Sequence, residues 1–165
     1  MSRLELIMMR HAKSDWGEVS LADHDRTLNN RGRRDAPRIG RWILEQDLVP
    51  DLVLCSTAVR AQQTIEAVAG EWPVEVPIHD SRTLYHAAPE TIIKVVASDA
   101  MEAERVMVVG HNPGMEMLAG HFSGACGHFP TAAILALAFE IPEWSKLRLS
   151  SQAITLAATR PKAID

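Results

Sequence analysis

Short uninterrupted apolar runs that end in polar loops recur along the chain, and each leads into a stretch whose apolar positions repeat at helical spacing. Leu6-Ile7-Met8-Met9, Asp51-Leu52-Val53-Leu54-Cys55 and Arg105-Val106-Met107-Val108-Val109 have the continuous hydrophobicity of strands covered on both faces of a parallel sheet. After the first, Asn29 stands where it can cap a helix running to about Gln46, with Ala36, Ile39, Gly40 and Ile43 on the inner face. After the second, Ser56-Thr57 predicts a cap for a helix whose inner stripe is Ala61, Thr64, Ile65 and Val68 and whose stop is Gly70. Val74 to Ile78, with Pro73 and Pro77 at its ends, predicts a short edge strand, and Pro89 opens a helix through about Ser98. The third run passes through Gly110-His111-Asn112-Pro113-Gly114 into a helix that begins near Pro113. Ala132 to Ile141 and Leu147 to Ala157, with Pro142 between them, predict a final pair of neighbouring strands. Strands alternating with helices imply a three-layer α/β/α fold with a mostly parallel sheet. No repeat or linker interrupts the pattern, so one domain over residues 1–165 is expected.

Composition narrows the function more than the fold. With 47% apolar and 23% charged residues the chain has the usage of a folded protein. A net charge of -4 supplies no general attraction to nucleic acid or to an anionic membrane, so neither is expected as a partner, and anion binding must come from a local site. Cys55 and Cys126 form no CxxC pair, no apolar stretch approaches a membrane span, and Leu6 to Met9 is too short for a signal-peptide core. A cytoplasmic location is the expectation.

The loops after the three buried strands carry the chemistry. In an open α/β sheet, sites form beyond the carboxyl ends of the strands. There the first strand delivers Arg10 and His11, the second Ser56, Thr57 and nearby Arg60, and the third His111 and Asn112. Guanidinium forks and helix N-termini suit phosphate oxygens. Two arginines also make a protonated neighbour costly, which favours a neutral, nucleophilic histidine.

Four ordered segments resemble the histidine phosphatase superfamily, most closely its small SixA-type phosphohistidine phosphatase branch. They are Arg10-His11-Ala12-Lys13-Ser14-Asp15-Trp16, Asp25-Arg26-Thr27-Leu28-Asn29-Asn30-Arg31-Gly32, Ser56-Thr57-Ala58-Val59-Arg60-Ala61-Gln62-Gln63-Thr64 and Gly110-His111-Asn112-Pro113. The resemblance spans nearly the whole chain. It implies a phosphoglycerate mutase-like fold and a phosphatase in which His11 accepts the phosphoryl group while Arg10, Arg60 and His111 bind it, with neither metal nor organic cofactor. Water then releases inorganic phosphate. Relatives that act on phosphate esters usually carry a glutamate in the loop corresponding to Ser81 to Ala88, and this chain has no carboxylate there. Asp80, His86 and Glu90 are nearby substitutes, none matching the motif, so the general acid stays unassigned. An imidazole leaving group of pKa about 6.5 needs less help than an alkoxide. The gap therefore points to phosphohistidine on a signalling or phosphocarrier protein as substrate. A small phosphate ester is the alternative, and a phosphate-dependent binding module without turnover is the alternative of another class.

Simpler readings stand beside these. Arg60 has Asp51 and Glu66 as potential ion-pair partners. Cys55 and Arg60 are one residue too close for a cysteine-phosphatase loop, and Cys55 ends an apolar strand as a buried thiol does. Cys126, His128 and His121 lack a second close pair for a metal site. Arg34, Arg38 and Arg41 share a helix face expected to be solvated, and Met115 and Met117 are expected in packing.

Overall fold

The computed structural model describes residues 3–17, 19–125 and 127–164. The apolar runs become strands β1 (Leu4–Arg10), β2 (Leu52–Ser56) and β4 (Arg105–Gly110), and the periodic stretches become helices α1 (Asn30–Glu45), α2 (Val59–Ala69), α3 (Pro89–Asp99) and α4 (Gly114–Ser123). With β3 (Ile78–Ser81), β5 (Ile134–Phe139) and β6 (Ala153–Thr159) they build a six-stranded sheet of order β3-β2-β4-β1-β5-β6. The pairs β3–β2, β2–β4 and β4–β1 are parallel, whereas β5 runs antiparallel to both its neighbours. This is the expected α/β/α fold with a mostly parallel sheet.

Why the strands are apolar at every position is visible in the two cores. Side chains alternate across a strand, so Ile7, Met9, Val53, Cys55, Met107 and Val109 enter the core with Ile39, Ile43, Ala61 and Ile65 of α1 and α2. Leu6, Met8, Leu52, Leu54, Val106 and Val108 enter the opposite core with Ile92, Val96, Met115 and Leu118 of α3 and α4. The predicted inner stripes of α1 and α2 are buried throughout. Asn29 caps α1 by accepting from Gly32 N–H at 2.9 Å. Gly32 is needed for contact, since a Cβ there would lie 2.2 Å from the Lys13 carbonyl oxygen. That absence of a side chain lets the start of α1 press against the loop that follows β1.

Several boundaries differ from the sequence reading. The third strand begins at Ile78, not Val74, because Pro73 and Pro77 have no N–H to give a ladder and pairing starts where Pro77 O accepts from Val53 N. The N-cap of α2 is Ala58 with no side-chain cap, Ser56 and Thr57 being drawn into other bonds. Helix α2 does stop at Gly70, in a right-handed conformation and not as a left-handed cap. The last strand begins at Ala153 because Trp144–Lys146 forms a 3-10 turn that buries Trp144 and Leu147 before the chain returns to the sheet. Arg41 remains half exposed beside Glu71, but Arg38 is not a solvated charge: it binds Asp35 and the carbonyls of Pro161 and Ile164, tying the end of the chain to α1. Met115 is fully buried, whereas Met117 is exposed on the far side of α4.

Candidate active site

Strand register decides which loops meet. Strands β1 and β4 are adjacent and pair through Arg10↔Gly110, so one further step along each puts His11 beside His111, ring centroids 5.1 Å apart. On the other side of β4, Cys55 pairs with Val109, which brings Ser56 Oγ to 2.7 Å from His111 Nε2. Arg60, in the first turn of α2, is 2% exposed and reaches back across the strand ends. Its Nε contacts His11 Nε2 and its Nη2 contacts His111 Nδ1, both at 3.4 Å.

These contacts fix the tautomers. His11 Nδ1 lies 2.7 Å from the Ala12 carbonyl, to which only an N–H can donate, and this leaves the lone pair on Nε2, facing Arg60. The Ala12 peptide is itself held, since its N–H donates to Thr64 Oγ1, which donates to the Arg60 carbonyl. His111 has the opposite tautomer: Arg60 donates to Nδ1, and Nε2–H donates to Ser56 Oγ. Burial, followed by the Arg60 and Arg10 charges, pushes His11 from 6.5 down to about 3 against the pull of its Ala12 bond. Burial and the neighbouring His11, Arg60 and His86 push His111 down to about 2. Both rings are neutral at physiological pH.

A consequence is measurable in stability. The unfolded chain protonates these rings near the ordinary value of 6.5, well above their folded values, so it binds more protons through the interval between and stability rises with pH there. Urea-unfolding free energies are expected to fall as pH is lowered from about 7 to about 5, approaching about 1.4 kcal/mol per pH unit for each histidine once below its unfolded pKa. His11→Gln is expected to flatten the profile. Identical slopes for the two proteins would remove His11 as a cause.

Arg10 completes the cluster. Its Nη1 donates to the Phe129 carbonyl at 3.4 Å, and its buried Nε–H has no partner, the sole such side-chain atom among the described residues. Desolvation is the main influence lowering its pKa, opposed by Glu116. Asn112 donates to the same Phe129 carbonyl and accepts from Glu116 N, joining the loop after β4 to the start of α4.

Sequence reasoning missed Asp23. It sits in a 3-10 turn (Asp23–Asp25) within the long loop after β1 and reaches over the site. Its Oδ2 accepts from Arg60 Nη2 at 3.1 Å, from Tyr85 OH and from His86 Nε2 at 2.9 Å. Its Oδ1 accepts from Arg26 Nε at 3.1 Å, and its carbonyl from Arg60 Nη1 at 2.7 Å. Desolvation pushes this carboxyl up, but the bonds from Tyr85 and His86 and the Arg60 charge outweigh it and hold it well below the usual carboxylate range. Asp23, and neither Asp51 nor Glu66, is thus the partner of Arg60. Arg26 also donates to Ser14 Oγ and stacks on Trp16, 3.4 Å from the ring centre, which explains its place in the matched segment.

Of the three candidate acids, the structure brings only His86 to the site, its ring 5.1 Å from that of His111. Asp80 accepts from Gln62 on β3's side of the sheet, and Glu90 borders a separate groove with Ile93, Lys94 and Leu147. Burial drives the Cys55 thiol far above its usual range, leaving it inert. His121 is bound to the Leu149 carbonyl and His128 lies beside Glu116, while Cys126 falls outside the described residues. Among the described residues no helix is long and apolar enough to cross a membrane, and no three His, Cys, Asp or Glu side chains are grouped as a metal site.

A neutral imidazole whose lone pair faces the buried Arg60 guanidinium thus stands at the carboxyl end of the parallel strands of an α/β fold. Residues 6–84 match the model of the histidine phosphatase superfamily (branch 1), and the chain belongs to that superfamily. An uncharacterized protein of Mycobacterium leprae is 33% identical over 87% of this chain and 94% of its own length. The structure of the proposed phosphohistidine phosphatase SixA from Nakamurella multipartitia superposes with a TM-score of 0.82 at 26% identity, covering 98% of both chains. That of the proposed phosphohistidine phosphatase SixA from Agrobacterium tumefaciens gives 0.81 at 27% identity, over 96% of this chain and 98% of the other.

Proposed function

We propose that the chain is a single-domain, metal-independent phosphatase that takes a phosphoryl group onto His11 Nε2 and releases it to water. The observation that carries this reading is the neutral His11, its lone pair turned toward Arg60. Arg10, Arg60 and, once its ring turns an N–H to the ligand, His111 stabilise the oxygens of the group in transfer, so positioning and electrostatics suffice. The favoured substrate is phosphohistidine on a signalling or phosphocarrier protein, with inorganic phosphate as product and the cytoplasm as location. Supporting it are the similarity to proteins proposed to act on phosphohistidine, matched over 98% and 96% of this chain, and the absence of a carboxylate from residues 81–88.

The pair formed by Asp23 and His86 favours a second reading, hydrolysis of a small phosphate ester, because it places one of the three candidate acids at the site beside a carboxylate. Incubation with a labelled phosphohistidine carrier and with a panel of sugar and nucleotide phosphates separates the two. Faster label loss from the carrier is the expected result. Fast ester turnover with an untouched carrier would reverse the order, and retention of phosphoprotein binding with no turnover of either would make the chain a binding module.

A further inference from the structure

We propose that His86, oriented by Asp23, is the acid–base group of this site. It protonates the leaving atom as the phosphoryl group moves to His11, then takes a proton from the water that frees it. The proposal rests on the reading that His11 is phosphorylated, and it adds the proton path that reading lacks.

The geometry assigns the parts. Asp23 is an ionised carboxylate and only accepts, so the 2.9 Å contact requires His86 Nε2 to carry a hydrogen. The other nitrogen, Nδ1, is left for exchange. The ring contacts both His111, at 5.1 Å between centres, and Tyr85, at 4.2 Å, and about half of the side chain is exposed, so it stands at the mouth beside the clamp. The groups facing it are Asp23 from the loop after β1, His111 from the loop after β4 and Tyr85 from its own loop, with Arg60 of α2 behind Asp23.

The position is also held under backbone strain. His86 has φ +51, the left-handed region that side chains other than glycine seldom occupy. Its neighbours Leu84 and Ala87 are buried, and the Ala87 carbonyl lies 1.9 Å from where a Cβ on Gly114 would sit. The first residue of α4 is therefore bare so that this loop can dock. The docked loop fixes where the ring stands, as a group that exchanges a proton with the reacting atoms requires.

The steps balance. The N–P bond to His11 Nε2 forms as the bond from phosphorus to the leaving oxygen or nitrogen breaks, and protonated His86 gives that atom its Nδ1 proton. Neutral His86 then accepts a proton from water as its oxygen bonds to phosphorus and the N–P bond breaks, returning His11 and protonated His86. Asp23 accepts from the Nε2–H and orients the ring throughout, so it is a positioning residue.

The test uses p-nitrophenyl phosphate, whose leaving group departs readily, and phenyl phosphate, whose leaving group departs poorly. In His86→Gln, turnover of phenyl phosphate is expected to fall by about 10²- to 10³-fold and that of p-nitrophenyl phosphate by much less in the burst phase. Labelled phosphoenzyme should accumulate because the second step has lost its base. Asp23→Asn should show the same leaving-group bias at roughly 10-fold. An equal loss for both substrates, or none, with phosphoenzyme still formed, would overturn the assignment to His86 and leave the reading of His11 intact. Absence of phosphoenzyme from the wild type would overturn both.

Discussion

His11→Ala is expected to lower turnover by on the order of 10⁴-fold or more and to eliminate the labelled phosphoprotein trapped under alkaline quench. The reason is that the lone pair proposed to attack belongs to His11. His11 Nδ1 is committed to the Ala12 carbonyl, so the reactive electrons are on Nε2. His111 Nδ1 accepts from Arg60 and its Nε2–H donates to Ser56, and the ring binds phosphate only once it turns an N–H to the ligand. With its pKa near 3, His11 is unprotonated across the physiological range, and no separate base is needed to free the attacking electrons. Thermal unfolding of the variant checks that the fold survives. Persistence of labelled protein in His11→Ala would move the acceptor elsewhere and sink the mechanism.

Arg60→Lys is the second large effect, expected to reduce kcat/KM by about 10²- to 10³-fold although the charge is kept. Arg60 reaches His11 through Nε, His111 and the Asp23 carboxylate through Nη2, and the Asp23 carbonyl through Nη1, all in one rigid plane. An ammonium is a point charge and cannot meet all three at once. Arg60→Ala additionally removes a charge that depresses the His11 pKa, so the imidazole resonance of His11 should titrate at a higher pH than in the wild type. Burial is the larger cause and stays, so the value is expected to rise without reaching 6.5. Full activity of Arg60→Lys would show that charge alone matters at this position. An unmoved His11 titration in Arg60→Ala would separate the arginine from the histidine altogether.

The missing carboxylate between Ser81 and Ala88 takes on a different meaning with Asp23 in view. In the sequence it was a gap that argued for a leaving group needing little protonation. In the structure the same loop presents His86, and the carboxylate comes from a turn 63 residues earlier. An ester substrate is thereby less disfavoured than the loop composition suggests, and the leaving-group experiment bears on substrate class as well as on His86.

Local periodicity determined most of the architecture. Continuous apolar runs are buried strands because helices cover both faces of the sheet, and stripes at helical spacing are the inner faces of α1 and α2. His11, Arg60 and His111 were legible because each follows a strong strand signal by a few residues. Boundaries failed where side chains had longer-range commitments: Ser56 was bound to His111 and did not cap α2, and the prolines shifted β3 by several residues. Tertiary structure alone decided that β1 lies next to β4, which is what brings His11 beside His111. It also decided the two opposite tautomers, the partners of Arg38 and the place of Asp23. A residue in an irregular loop has no period to announce it, and its role comes from contacts 37 and 63 residues away that no window of sequence contains.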